Sequence, residues 1–114
     1  MFKSPLTLVG AGMVLALASM APAQAAVDAA AASALFKSNG CTKCHDAEKT
    51  KKGPSFKTIV EKNKGKADAQ KELIATFTSG KQVKTADGKS FEHEVIDTKD
   101  VKAQQNLADW ILSH

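Results

Sequence analysis

The sequence predicts one small, chiefly helical domain of about four helices. Three observations carry this. Segments 28–39, 54–63, 68–79 and 98–112 each join a helix-start residue to apolar positions at helical spacing. Glycines stand between them as stops. And once residues 1–25, which read as an export signal, are set aside, 89 of the 114 residues are left to fold, enough for a single thin core of the kind that often borrows stability from a cofactor.

The chain opens with Lys3, an apolar run from Leu6 to Ser19 and a small-x-small site at Ala23-Gln24-Ala25, the order of a cleaved secretory signal. An uncleaved membrane anchor would need about 20 apolar residues, and this run is shorter and followed by Pro22. The mature chain, 26–114, is therefore expected to start at Ala26 in the periplasm, without membrane insertion after cleavage.

The first helix runs from Asp28, a candidate cap, to Asn39, with Gly40 as its stop and Leu35 and Phe36 at its apolar end. After a lysine-rich surface loop, Gly53-Pro54 marks a turn, and Pro54 suits the first turn of a second helix through Phe56, Ile59 and Val60 to about Asn63. Leu73, Ile74 and Phe77 give the third helix its apolar positions, and Gly80 closes it. Between residues 82 and 95 the Asp87-Gly88 pair signals a short hairpin or a loop, which carries His93. Asp97 or Thr98 can cap the last helix, whose apolar face is Val101, Leu107, Ala108 and Ile111. Trp110 beside them reads as core.

The most specific stretch is Cys41-Thr42-Lys43-Cys44-His45, a C-x-x-C-H run. Two thiols at this spacing can each add to one vinyl group of a haem, and the histidine that follows can reach the iron from one face. Three other uses of the pair compete. A thioredoxin-like redox centre belongs beside a βαβ pattern, and the flanking segments here read helical. A zinc site needs two more ligands, with only His45, His93 and His114 on offer. A Cys41–Cys44 disulfide would close too small a loop to constrain the unfolded chain much. Covalent haem c is the expected cofactor, and a carbonyl near Gly53-Pro54 is expected to accept the other ring N–H of His45.

Sixteen lysines and no arginine stand against 12 acidic residues. Lys43, Lys49, Lys51, Lys52 and Lys57 crowd around the C-x-x-C-H run, either as a solvated surface or as a docking patch for acidic redox partners. Nucleic acid is excluded as a partner by the lack of arginine, the few aromatics and the export signal. A monomer is expected.

The order of features resembles class I cytochromes c: signal, short helix, C-x-x-C-H, a Gly-Pro after it, and a last helix containing Leu107-Ala108-Asp109-Trp110-Ile111-Leu112. The resemblance covers essentially all of residues 28–113. It implies an all-α fold in which the first and last helices cross around one haem, with Cys41 and Cys44 as thioether attachments and His45 as proximal iron ligand. The chain departs from the pattern at the sixth ligand. Family members usually offer a methionine shortly before the last helix, whereas Met1, Met13 and Met20 all lie in the signal.

His93 stands where the family's methionine is expected, and His114 is the final residue, where fraying is common. A lysine ligand would first have to lose its proton. His93 is therefore the expected distal ligand. A bis-histidine haem has no vacancy for substrate, so the implied function is single-electron transfer, at a potential below that of His/Met members because the potential-raising thioether is missing. The alternative is a gas-binding or sensing haem protein with an open or labile distal position; a subunit of a periplasmic oxidoreductase would use the same electron chemistry. No nucleophile with a partnered base points to an enzyme.

Overall fold

In the computed structural model, which describes residues 10–13 and 26–114, four helices and one hairpin follow in chain order. The expected export signal, 1–25, lies outside the described residues except for 10–13. No described helix is long and apolar enough to cross a membrane.

The first helix, α1 (Ala29–Ser38), begins where the Asp28 carboxylate accepts the Ala31 amide at 3.0 Å. Asp28 also ties this end to the last helix, α4 (Val101–Leu112). Its amide donates to Asn106 Oδ1 and its carbonyl accepts from Asn106 Nδ2, both at 2.9 Å. Beyond this clamp the two helices share the core, where Ala32, Leu107 and Ala108 are at most 1 % exposed. Phe36 meets Trp110 edge-on at 5.7 Å, and Phe56 does so at 5.4 Å, so Trp110 is a packing residue of α4.

Two helix starts differ from the sequence reading. The second helix, α2 (Phe56–Asn63), is capped by the buried Ser55, whose hydroxyl accepts the Thr58 amide at 3.1 Å. Pro54 therefore precedes the cap instead of occupying the first turn. In α4 the cap is Asp100, whose carboxylate takes the Lys102 amide. Thr98 instead accepts the Asp100 amide, and Asp97 gives its own amide to Asn39. The later start leaves Val101 59 % exposed on the first turn, off the apolar face.

The third helix, α3 (Ala69–Ser79), packs on α4, with Gln70 donating to Asp109 at 2.8 Å, and ends at Gly80 in the left-handed conformation. The segment that follows is a hairpin: β1 (Gln82–Lys84) pairs antiparallel with β2 (Ser90–Glu92), Val83 opposite Phe91. Its turn is closed by Gly88 N–H on Thr85 O, with Gly88 at φ +82°, the conformation that the Asp-Gly pair supplies.

Candidate haem site

Gly40, at φ +69°, turns the chain out of α1 into a 3-10 turn over Cys41–Lys43. The turn's hydrogen bonds, Cys44 N–H and His45 N–H both to Cys41 O, set the two cysteines and the histidine on one short curve. Both thiols are free and half-buried, and both line a cavity together with His45. Burial pushes the Cys41 thiol above its ordinary pKa, with Glu94 and Cys44 adding to that.

His45 is held from below by its own loop. Gly53 N–H donates to Cys44 O at 2.9 Å, and the backbone of Thr50 bridges that of His45. This brings the next peptide under the imidazole: Nδ1 donates to Pro54 O at 2.7 Å. The expected carbonyl near Gly53-Pro54 is thus that of Pro54. With the proton on Nδ1, the lone pair of Nε2 is free to bind a metal. Burial lowers the pKa of His45, the Pro54 carbonyl opposes this, and His93 adds to the lowering, so the ring is neutral over more of the pH range.

The rest of the cavity is mostly apolar and comes from every element: Phe36, Phe56 and Ile59 from the first two helices, Leu73 and Phe77 from α3, and Leu107 and Ile111 from α4. Val83 and Phe91 close it from the hairpin. Residues 93–96, which leave β2, supply His93, half-buried in the wall. Its ring centroid is 6.1 Å from that of His45 with the planes 32° apart, and its Nδ1 donates to Glu94 O at 2.7 Å. His93, far from His45 in sequence, is thus brought to it. His114 is not: it does not line the cavity, and its ring packs on Phe56 and Trp110 while Nδ1 donates to Trp110 O.

Two contributors went unnoticed in the sequence. Asn39 lines the cavity, donates to Leu35 O and accepts the Asp97 amide at 3.0 Å, which fastens the segment after His93 to the end of α1. Phe91, one side of the hairpin wall, has its ring 3.8 Å from the Lys52 ammonium. An asparagine following a helix carries a C-cap signal; nothing local marks either long-range role.

An apolar cavity with two free thiols and an exposed imidazole lone pair fits a covalently held, flat apolar cofactor. The same conclusion comes from comparison with known proteins. A profile of the cytochrome c family matches residues 29–114. Cytochrome c-551 of Pseudomonas aeruginosa is 33 % identical over 79 residues, covering 69 % of this chain and 72 % of that protein. Cytochrome c-551 of Azotobacter vinelandii is 30 % identical over 80 residues, covering 70 % and 93 %. Among solved structures, the class 1 cytochrome MtoD of Sideroxydans lithotrophicus ES-1 shares 49 % identity at a TM-score of 0.72, over 77 % of this chain and 97 % of that one. Cytochrome c552 of Nitrosomonas europaea shares 28 % at 0.56, over 71 % and 96 %. With the fold, the cavity and these relatives in agreement, the chain belongs to the cytochrome c family, as an all-α, monohaem class I member that carries electrons on one covalently bound haem c and is not an enzyme.

Proposed function

We propose that this cytochrome is a bis-histidine electron carrier of the periplasm, its haem attached through Cys41 and Cys44 and ligated by His45 and His93. Haem c supplies a one-electron iron couple, and the chain's task is to hold it and set its potential. The observation that carries the reading is the pair of imidazoles 6.1 Å apart across the cavity. Two rings that each bond one metal ion at about 2 Å have centroids roughly 6 Å apart. Each ring also gives its Nδ1 proton to a backbone carbonyl, Pro54 for His45 and Glu94 for His93, so each keeps Nε2 for iron. Residues 26–114 contain no methionine to compete. With imidazole in place of thioether, the potential lies below that of His/Met members.

Lysines near the attachment site orient acidic redox partners in a small, transient interface. Of Lys43, Lys49, Lys51 and Lys52, two are already engaged: Lys51 Nζ donates to Thr42 O at 2.7 Å, and Lys52 sits over Phe91. Lys43 and Lys49, exposed and with no ion pair among the described residues, carry most of the docking charge.

Replacing His93 with alanine tests the ligand set. The expected result is a change of iron spin state, a shifted potential and rapid carbon monoxide binding to the ferrous protein. A parental spectrum and potential would remove His93 from the iron.

A further inference from the structure

We infer that Lys52 is a positioning residue that clamps the hairpin leading into His93 to the loop bearing His45, and so helps to fix the distance between the two rings. The inference rests on the distal role proposed for His93.

Lys52 holds the hairpin by two unlike contacts. Its carbonyl accepts the Ala86 amide in the hairpin turn at 3.0 Å, and its ammonium lies 3.8 Å from the centroid of the Phe91 ring. Phe91 faces the cavity two residues before His93. On the other side, Lys52 is bonded to Gly53, whose amide donates to Cys44 O and whose backbone lies directly against the His45 ring. The two imidazoles are thus joined through one residue. Among the described residues, Ala86 N–H to Lys52 O is the only hydrogen bond between the hairpin and the 45–54 loop.

A two-stranded hairpin with strands of three residues is marginal by itself. At its base it is held by His93 N–H on Lys81 O and Ile96 N–H on Phe77 O, and neither bond reaches the proximal loop. Releasing Lys52 would therefore free the hairpin above this base, Phe91 included, and remove the support that the strand entering His93 gives to its ring. The backbone bond survives substitution of the side chain, so the ammonium–ring contact is the part that mutagenesis can remove.

The holoprotein decides this. Lys52→Gln keeps a long polar side chain and removes the charge, and Lys52→Arg keeps the cation on the ring. Carbon monoxide is the probe, because it combines with ferrous iron only when the distal ring has left. An exposed cation–π contact is worth about a two- to fivefold change in an equilibrium. Lys52→Gln should bind carbon monoxide faster by about that factor, with faster hydrogen exchange at the Ala86 amide, and Lys52→Arg should match the parent. A parental rate in Lys52→Gln, while His93→Ala binds rapidly, overturns the inference. If His93→Ala itself keeps the parental rate, the distal reading fails; the clamp is then judged by Ala86 exchange alone, which supports it if faster in Lys52→Gln and refutes it if unchanged. Should Lys52→Gln not fold, Phe91→Leu removes the other half of the contact and is read in the same way.

Discussion

A β-carbon at Gly53 would lie 2.6 Å from Cε1 of His45 and 3.0 Å from its Nδ1, so the bare backbone of Gly53 is the floor on which the imidazole rests. The requirement is for space. Gly53→Ala should push the ring off its seat and break its hydrogen bond to Pro54 O. Overpacking of this kind costs about 1–3 kcal/mol. Denaturant unfolding should show the loss, and nitrogen NMR of the imidazole should show Nδ1 without its carbonyl partner.

Ala108 makes a similar demand in the core. It is fully buried on the helix that packs against α1. Ala108→Leu should force the helices apart, with a loss of about 1–3 kcal/mol. The midpoint of urea unfolding is expected to fall at an unchanged slope, the mark of a native-state effect.

The hairpin should be sensitive to acid. The Thr85 hydroxyl, and after it the Lys89 amide, hold the Asp87 carboxyl below its ordinary pKa. A carboxyl depressed in the folded state adds stability that is complete above its unfolded value, about 3.9. That stability is lost as the pH falls through the lower folded value. The Asp87 carboxyl carbon should therefore titrate below the ordinary range, with the amides of residues 85–89 shifting alongside it. In Asp87→Asn those amides should not follow pH over that interval.

Electrostatic docking predicts a salt effect. Electron transfer to an acidic protein partner should slow as ionic strength rises, since charges are screened beyond about 8 Å at 0.15 M. Reversing both Lys43 and Lys49 to glutamate should flatten or invert that dependence while leaving the haem spectrum unchanged. An unaltered salt slope would exclude these two lysines from the encounter.

Much of this was legible in the sequence because it is local. Asp28, Gly40 and Gly80 sit where helix-end chemistry puts them, and the structure uses all three as read. The C-x-x-C-H run, read together with the export signal, pointed to its cofactor, and Asp87-Gly88 to its turn. The start of α4 was less legible: Asp97, Thr98 and Asp100 are all capping residues within four positions, and local chemistry does not rank them. The Asp97 amide is taken by Asn39, 58 residues away, a contact that no local pattern shows. The same holds for Lys52, which in sequence is one lysine of a polar loop and in the fold meets a ring that arrives 39 positions later.

The two imidazoles take their orientation from peptides at very different distances along the chain. His45 is aimed by the carbonyl of Pro54, nine residues on, and His93 by that of its immediate neighbour Glu94. Inserting or deleting a residue within 46–53 would therefore re-aim the first ring directly and reach the second only through the contacts of Lys52. Loop length in that interval is an independent means by which related sequences can diverge in redox behaviour without exchanging a single ligand.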